Sequence, residues 1–364
     1  MDKVLDIQIE ETLKAYLTSG VEDQVDYQKF YLYSIVTHST AIEGSTVTEI
    51  ENQLLFDEGI AAKGRSLIEQ MMNVDLKDAY LYAFKSATEN PTYTPQLLQR
   101  ISALVMRRTG SEYSTIAGHF DSSKGELRLC NVSAGIGGRS YLAYNKVPRA
   151  VDDFCRWLNQ RIAKVDKANI AACYRLSFEA HFRLVTIHPW VDGNGRTSRL
   201  VMNMIQRQLG LVPSIVRKED KGEYIQSLVD SRENEDPTIT QDVMLRHHIA
   251  NMKHLIAQYK QEDGIMGNNV GINNKDVGVN NNDVGVNVGV NNDNVGVDAD
   301  VNLTNTQKRV YELILANPDI THSEMAQALS MTTKTAERAT KALRDHGLLE
   351  RIGSNKSGMW VILK

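Results

Sequence analysis

The sequence predicts a mainly α-helical fold, followed by a linker and a small α+β domain. Residues 1–260 are rich in Leu, Ala, Ile, Met, Lys and Glu and poor in proline, and apolar residues recur there with helical spacing. Residues 261–302 consist largely of Asn, Gly, Asp and Val, and a helical apolar pattern returns in residues 303–364. These changes of composition predict domain boundaries near residues 260 and 302.

The composition of the whole chain excludes several classes of protein. The net charge is −4 and the pI is about 6.2, so any nucleic-acid-binding surface has to be local. The three cysteines, Cys130, Cys155 and Cys173, suit neither a disulfide framework nor a zinc site. No stretch approaches the roughly 18 apolar residues of a membrane span. We therefore expect a cytoplasmic protein without a membrane partner.

The helical part divides into an expected N-terminal region at residues 1–88 and a second helical domain at residues 89–260. In residues 151–163, one side of a predicted helix carries Val151, Phe154, Cys155, Leu158 and Ile162. Residues 125–148 differ, because apolar and polar residues alternate there and a glycine-rich turn follows. This pattern predicts a β-hairpin within the helical domain.

Residues 261–302 contain a short repeat. The Val-Gly pair starts at positions 270, 277, 284, 288 and 295, which is a spacing of seven broken once by four. Asn, Gly and Asp disfavour regular structure, and no aromatic residue offers a core. We interpret this segment as a flexible linker. A short solenoid is the alternative, although its units would be small and polar.

Residues 303–364 predict three helices and two short strands. TQKRVYELILAN is an amphipathic helix, THSEMAQALS starts at a Thr321 or Ser323 cap, and a third helix ends by Gly347. This order is typical of a winged helix, whose third helix enters the major groove of DNA. The expected DNA-binding residues are Lys334, Arg338 and Lys341 on that helix and Lys356 in the wing. A protein-interaction module is the alternative.

Twelve residues, HPWVDGNGRTSR at 188–199, combine groups that packing alone does not require. Pro189 disfavours α geometry at His188, so we expect the preceding helix to stop there and His188 to lie on an extended segment. A glycine turn and a long helix closed by Gly210 follow. The residues at the N-terminus of this helix are Gly193, Asn194 and Gly195. Free N–H groups and the helix dipole make such an N-terminus an anion site.

The charged groups of this segment suggest a chemistry. Arg196 and Arg199 share one face of the first turn, where several phosphates would suit both. A carboxylate beside phosphates needs an intervening cation, so Asp192 indicates magnesium. An imidazole takes a proton from a hydroxyl at neutral pH, so His188 indicates a general base. Together, these residues predict phosphoryl or nucleotidyl transfer to a hydroxyl. Taken one at a time, His188 could be a helix cap, Asp192 and the glycines could be turn residues, and the arginines could lie on the surface.

The same twelve residues resemble the signature of the Fic family, with Trp190 where Phe is usual. The resemblance extends over roughly residues 30–260 and implies a helical bundle with a β-hairpin flap. It also implies AMP transfer from ATP, with Mg²⁺, to a Ser, Thr or Tyr hydroxyl of target proteins or of the protein itself. His188 would be the base and Asp192 would hold the metal. The implied nucleotide-binding residues are Gly193, Asn194, Gly195, Arg196, Thr197, Ser198 and Arg199.

The resemblance assigns further residues outside this motif. The hairpin at 125–148 resembles the family's flap, which pairs with the target backbone as an added strand, and Tyr141 and Tyr144 would meet nucleotide and target there. Tyr224 matches a family position near the adenine, and a tyrosine of the helix core is the alternative. Arg232 stands where the family often has Asn, which leaves the contact with the adenine base open. A nucleotide donor other than ATP is also left open.

The segment STAIEG at 39–44 resembles the family's inhibitory motif, Ser/Thr-x-x-x-Glu-Gly/Asn. Gly44 is expected to end a helix, which puts Glu43 at the negative end of the dipole, and Ser39 can hydrogen-bond to it from one turn earlier. A solvated helix end is the alternative. The resemblance implies that Glu43 pairs with Arg199 and displaces the outer phosphate of ATP within one chain.

These residues together predict an autoinhibited protein adenylyltransferase with a tethered DNA-binding module. One alternative is a nucleotide-sensing transcriptional regulator, and the other is removal of AMP by the same site, with Glu43 positioning a water. The expected partners are a hydroxyl-bearing target protein and DNA. The sequence leaves a homodimer open.

Overall fold

The computed structural model of the chain describes residues 2–134, 139–267, 305–318, 320–329, 331–352 and 359–363. The chain divides into two compact units, residues 1–273 and 274–364. The linker was predicted at residues 261–302, but residues 261–267 continue the last helix of the first unit. The rest of that segment, residues 268–302, lies outside the described residues, and the boundaries at residues 88, 260 and 302 stay predictions. Within the described ranges, no helix is both long and apolar enough for a membrane crossing.

The first unit is mainly helical. Its helices are α1 Lys3–Leu17, α2 Tyr27–Ile42, α3 Glu49–Glu58, α4 Leu67–Thr88, α5 Pro95–Val105, α6 Val147–Lys164, α7 Ile170–Ile187, α8 Asn194–Gln208, α9 Lys221–Glu233 and α10 Thr238–Gly267. Strands β1 Glu112–Thr115 and β2 Gly118–Asp121 form an antiparallel hairpin between α5 and α6. The mainly α-helical fold predicted for this part of the chain is confirmed.

Helix α8 is almost completely buried in the first unit. It packs against α7, α4, α5 and α2, and 12 of its 15 residues are buried. Leu200, Val201, Met204 and Ile205 have no exposed surface, and each such side chain contributes about 1.5–3 kcal/mol of hydrophobic stabilisation. Packing on all sides therefore fixes the first turn of α8 relative to α2 and α7.

A buried polar network holds the C-terminal end of α2. The Thr40 hydroxyl donates to Asn73 Oδ1 at 2.7 Å, and Asn52 Nδ2 donates to both Asn73 Oδ1 at 2.9 Å and Thr37 Oγ1 at 2.7 Å. Asn73 Nδ2 donates in turn to Ser45 Oγ at 3.1 Å. Because buried hydrogen-bonded amides are costly to displace, this network fixes the position of the helix end that precedes Ser45.

The hairpin expected in residues 125–148 is shorter than predicted. Ser133 and Ser140 form an isolated antiparallel bridge, and Tyr141 N donates to Val132 O at 3.0 Å. Glycine and asparagine weaken extended strands, and both are frequent in this segment. The regular hairpin of the first unit is β1–β2, directly upstream, which the sequence analysis missed. From here on, the name flap denotes the described residues 130–134 and 139–146 of this segment.

The second unit has the order predicted for a winged helix. Its elements are α11 Asn305–Ala316, α12 His322–Ala328, α13 Thr333–Asp345, β3 Leu349–Ile352 and β4 Met359–Ile362, with β3 and β4 antiparallel. Thr321 caps α12 in a reciprocal capping box with Glu324, as expected for one of the two candidate caps. Val310, Ile314 and Leu343 are fully buried and form the core of this unit with Trp360.

Candidate active site

His188 is the C-cap residue of α7, which ends at Ile187. Its backbone N–H donates to Leu184 O at 3.1 Å, and its φ and ψ of 53° and 64° are left-handed. The expectation that His188 lies on an extended segment is therefore wrong. Pro189 disfavours right-handed α geometry at His188, and the left-handed conformation avoids that region while it still closes the last helical turn.

The imidazole of His188 is held by two contacts. Nδ1 lies 3.2 Å from Val185 O, and because a carbonyl oxygen only accepts, Nδ1 carries the proton and Nε2 the lone pair of the neutral ring. The Tyr141 ring stacks on the imidazole at a centroid distance of 3.8 Å and an interplanar angle of 17°. Burial lowers the pKa of His188 to about 4, so the ring is neutral at pH 7.

Arg128 is a residue of this region that the sequence analysis missed. Its side chain is buried, and Nε donates to His188 O at 2.8 Å. Nη1 donates to Cys130 O at 2.7 Å and Nη2 donates to Leu142 O at 2.5 Å. The signal available in the sequence was an arginine between two leucines in an alternating stretch, LRL at 127–129. Arg128 thus connects the flap to the segment that carries His188.

The turn after His188 leads directly into α8. Gly193 is the N-cap with φ of 76°, and a Cβ there would lie 2.6 Å from Met106 Sδ, so only glycine suits this position. Asn194 fixes the turn, because its Oδ1 accepts from Trp190 N at 3.1 Å and its Nδ2 donates to Trp190 O at 2.8 Å. Gly193 N already donates to Asp192 Oδ1. An anion site at this helix N-terminus, as such termini commonly provide, stays a prediction.

Arg199 is the most heavily bonded cation of the motif. Its guanidinium is buried and donates from Nη2 to Glu43 Oε1 at 2.6 Å. Nε donates to Ser39 Oγ and Nη2 to Ser39 O, both at 2.9 Å. Burial alone would raise the pKa of Glu43, but the charge and hydrogen bond of Arg199 outweigh burial and hold this pKa below its ordinary value.

The Glu43–Arg199 ion pair agrees with the pairing that the family resemblance implied, but the expected contact of Ser39 does not form. Ser39 was expected to hydrogen-bond to Glu43, and instead both its hydroxyl and its carbonyl accept from Arg199. Both oxygens of Ser39 accept from the Arg199 guanidinium because its five N–H donors need partners in a low-dielectric site. Gly195 makes room for the pair, because a Cβ at this position would overlap Glu43 Oε1.

Arg196 is buried and only partly satisfied. Its Nη2 lies 3.3 Å from Met106 Sδ and 3.6 Å from Asp192 Oδ1, whereas Nε and Nη1 have no hydrogen-bond partner among the described residues. Buried donors without acceptors cost free energy. An anion with several oxygens would supply acceptors to this guanidinium.

Asp192 lies at the edge of the site with 62% of its side chain exposed. Its Oδ1 also accepts from Gly193 N at 2.5 Å. Within the described part of the chain, no cluster of three or more His, Cys, Asp or Glu side chains could hold a metal. A single exposed carboxylate beside a candidate phosphate site would nevertheless fit Mg²⁺, which keeps several waters and takes its other ligands from phosphate oxygens.

Tyr224 contacts the ion pair through its hydroxyl. The hydroxyl lies 2.9 Å from His181 Nε2 and 3.4 Å from Arg199 Nη1, and the whole residue is buried. Because the guanidinium only donates, the phenol must donate its proton to His181 and accept from Arg199. Burial lowers the pKa of His181 to about 3, which keeps its ring neutral and able to accept.

A cavity of about 260 Å³ is lined by His188, Gly195 and Arg199 of the motif, whereas Gly193, Asn194 and Arg196 are not among its described lining residues. Its lining includes Glu43, Tyr141, His188, Arg199, Tyr224 and Arg232. The Arg232 guanidinium lies 5.4 Å from the centroid of the Tyr141 ring. The base, the outer-phosphate arginine and the inhibitory carboxylate expected from the sequence therefore line one space.

Other sequence-predicted residues lie away from this cavity or use their polar groups elsewhere. The Ser198 hydroxyl donates to Gly195 O at 3.0 Å, and the buried Thr197 hydroxyl has no partner among the described residues. Tyr144 lies in a short 3-10 turn, and its N–H donates to Asn131 Oδ1 at 3.0 Å. The cavity lining does not include these three side chains or Asp192, considering the described residues alone.

The predicted DNA-binding residues can be compared with the second unit. Lys334, Arg338 and Lys341 are exposed on α13. Lys356 lies outside the described residues. An exposed row of cations on the third helix is the arrangement that a winged helix uses for contacts with DNA phosphates.

Two family models match the chain. One, described as the Fic/DOC family, matches residues 92–206, and the other, described as winged helix-turn-helix DNA-binding, matches residues 303–350. The proteins named protein adenylyltransferase Fic in Drosophila erecta and Drosophila melanogaster are 31% identical over 193 residues, which is 52% of this chain and 35% of each relative. The match thus spans about a third of the length of these relatives.

Solved structures are similar in fold. A Fic domain containing signaling protein from Bacteroides thetaiotaomicron has a TM-score of 0.57 and 18% identity, over 71% of this chain and 97% of that chain. A Fic family protein from Desulfovibrio desulfuricans has a TM-score of 0.57 and 16% identity, over 98% of this chain and 94% of that chain. At these identities the similarity shows the fold alone.

Proposed function

The chain carries a Fic/DOC-family domain at residues 92–206, and on this premise we propose that it is a protein adenylyltransferase. It would transfer AMP from ATP to a Ser, Thr or Tyr hydroxyl of target proteins or of itself. The relatives named protein adenylyltransferase Fic support this activity. The observation that carries the proposal is the cavity that His188 and Arg199 both line, with Nδ1 of His188 bonded to Val185 O so that Nε2 has the lone pair.

In the proposed reaction, His188 is the general base. Nε2 takes the proton of the target hydroxyl while the hydroxyl oxygen forms a bond to the α-phosphorus of ATP. The bond from the α-phosphorus to the β-phosphate oxygen breaks, and pyrophosphate leaves. The low pKa of His188 keeps the accepting form populated at pH 7, and the negative charge of a bound triphosphate would raise this pKa toward the range of an effective base.

The first turn of α8 would hold the phosphates. The main-chain N–H groups of Asn194 and Gly195 would donate to phosphate oxygens, and Gly193 N would exchange its bond to Asp192 Oδ1 for a third. Arg196 and Arg199 would bind the outer phosphates. The unpartnered donors of Arg196 support this assignment, because phosphate oxygens would satisfy them. Asp192 would hold Mg²⁺, which supplies charge neutralisation along the phosphates.

We propose that Glu43 inhibits the enzyme within one chain. Its ion pair with Arg199 occupies the guanidinium that the outer phosphate of ATP would need. A charge-assisted pair contributes about 1.5–3 kcal/mol, a bias that high nucleotide concentrations partly overcome. Stronger inhibition requires that the α-phosphate be misplaced, since an error of about 1 Å costs on the order of a hundredfold in rate.

The test is label transfer from α-³²P-ATP in the presence of Mg²⁺. The variants are the unmodified chain, Glu43→Gly, and Glu43→Gly combined with His188→Ala, with self-labelling and labelled lysate proteins resolved on a gel. We expect label only with Glu43→Gly. That result would support AMP transfer, inhibition by Glu43 and base catalysis by His188.

Glu89 provides a matched control for the change at Glu43. It is the C-cap of α4 with φ and ψ of −88° and 4°, close to the −86° and 3° of Glu43, and it is exposed. The single variant Glu89→Gly, with Glu43 intact, is expected to transfer no label. Absence of label in every variant, with ATP binding retained, would contradict AMP transfer and favour the nucleotide-sensing regulator or the removal of AMP.

A second function, DNA binding by residues 303–364, is favoured by the match to a winged helix-turn-helix model. We propose that Lys334, Arg338 and Lys341 contact DNA, with Lys356 in the wing as the fourth residue. A cytoplasmic location, a tethered regulatory role for this unit and a homodimer belong to the same proposal. The test is a gel shift of duplex DNA by the full chain, measured at two salt concentrations.

A further inference from the structure

Arg128 binds four main-chain carbonyls from two separate segments. Its backbone N–H donates to Pro189 O at 3.1 Å and its Nε to His188 O at 2.8 Å. Nη1 and Nη2 donate to Cys130 O at 2.7 Å and Leu142 O at 2.5 Å. The residue is 1% exposed. One side chain therefore joins both arms of the flap to the loop that carries His188.

This arrangement is specific to arginine. Burial lowers the pKa of Arg128, and among the described residues no carboxylate forms an ion pair with its guanidinium. The side-chain hydrogen bonds of Arg128 to described residues go to main-chain carbonyl oxygens. A planar guanidinium directs its donors along fixed, diverging lines, whereas a lysine ammonium is a single point and cannot reach carbonyls on both segments.

The tether coincides with the contact between the flap and the imidazole. Leu142, whose carbonyl Arg128 holds, directly follows Tyr141, and the Tyr141 ring stacks on His188 at 3.8 Å. The carbonyl of His188 itself is held by the same guanidinium. The distance between the flap and the imidazole is thus fixed on both sides by Arg128.

We propose that Arg128 is a positioning residue that holds the flap at a fixed distance from His188, so that a target strand paired to the flap presents its hydroxyl to Nε2. This inference rests on the proposed adenylyltransferase function. It concerns the acceptor side of the reaction only, because the hydrogen bonds of Arg128 to described residues go to the flap and to residues 188 and 189, and not to the first turn of α8 where the phosphates would bind.

The kinetic test uses Arg128→Lys in the Glu43→Gly background, with self-labelling from α-³²P-ATP as the reaction. At saturating ATP we expect labelling to be about a hundredfold slower, because an error of about 1 Å in the approach of the hydroxyl has this effect. The dissociation constant of ATP, measured by calorimetry, should stay within about twofold. Arg128→Gln, which also cannot bridge the three carbonyls that the guanidinium binds, is expected to give the same pattern.

A second readout does not depend on catalysis. Hydrogen exchange of the amides in residues 139–146 is measured in the unmodified chain and in Arg128→Lys. We expect exchange at least tenfold faster in the variant, with the amides of α8 unchanged. If Glu43→Gly transfers no label, the proposed function fails, and this exchange experiment still tests the tether.

Arg175 is the matched control. It is a buried arginine of α7, and it donates to Asp6 Oδ1 and Asp242 Oδ1, both at 2.6 Å, with no contact to the flap. Arg175→Lys should lower the melting temperature without changing labelling or flap exchange. Labelling and flap exchange at the parental rates in Arg128→Lys would overturn the proposal, as would an equal loss of labelling in Arg175→Lys.

Discussion

Replacement of Glu43 by glycine is expected to change stability and nucleotide affinity in opposite directions. The variant leaves buried Arg199 without its carboxylate, although both hydrogen bonds to Ser39 remain. The Glu43 side chain is 34% exposed, so we expect a loss of about 1–3 kcal/mol and not the roughly 3–5 kcal/mol of a fully buried pair. Loss of the competing carboxylate should tighten ATP binding by about tenfold to a hundredfold, which corresponds to roughly 1.4–2.8 kcal/mol.

The assay combines calorimetric titration with a non-hydrolysable ATP analogue and Mg²⁺, and melting curves with and without that analogue. Glu43→Gly should melt lower than the unmodified chain without nucleotide and gain more when nucleotide is added, because ligand stabilisation grows with the ratio of ligand concentration to Kd. Glu89→Gly controls for the glycine at a helix end. Equal Kd values for the unmodified chain and Glu43→Gly would refute the competition between Glu43 and nucleotide.

Three further predictions concern histidines, a tyrosine and the second unit. Burial lowers the pKa of His181 and His248 to about 3 and that of His188 to about 4, whereas all three imidazoles have a pKa near 6.5 in the unfolded chain. Between pH 7.5 and 5.5 only the unfolded chain takes up these protons, so the free energy of unfolding should fall by about 4 kcal/mol as the pH is lowered, as measured by urea unfolding. Tyr224→Phe in the Glu43→Gly background should weaken ATP binding severalfold by calorimetry, because the guanidinium of the outer-phosphate arginine loses an acceptor. Lys334→Ala with Arg338→Ala should weaken DNA binding and reduce its salt slope by about two.

Each of these predictions has a control or a contrary outcome. A free energy of unfolding that is constant between pH 7.5 and 5.5 would contradict the first. Tyr93→Phe removes another buried tyrosine hydroxyl, bonded to Gln208 Oε1 at 3.0 Å, and should leave ATP affinity unchanged; an equal effect of both substitutions would contradict the role of Tyr224. Arg309→Ala on α11 removes an exposed cation outside the third helix, and an equal loss of DNA binding there would contradict the assignment to α13.

The sequence was sufficient where the determining interactions are local. Pro189, Gly193 and Gly210 act on their own backbone and immediate neighbours, so the end of α7 and both ends of α8 could be predicted from them. The detailed conformation of His188 could not be predicted, because a residue before proline has both extended and left-handed solutions, and the packing of the helix end decides between them.

The rest of the site depends on contacts between residues distant in sequence. Arg128 acts on main-chain carbonyls up to 61 residues away, and main-chain partners leave no pattern of residue types to recognise. Ser39 was assigned to Glu43 from its spacing along one helix, whereas a buried guanidinium from α8 binds the serine instead. The resemblance implied that Tyr224 lies near the adenine, which stays a prediction, and the contacts of its hydroxyl with Arg199 and His181 had no signal in the sequence.

The covalent attachment of Glu43 to the same chain as Arg199 has a consequence for cellular behaviour. An intramolecular competitor has an effective concentration set by geometry and not by the amount of protein. The fraction of molecules inhibited by Glu43 should therefore not depend on the protein concentration in the cell. It should depend on the concentration of free ATP relative to the fixed effective concentration of Glu43 at Arg199.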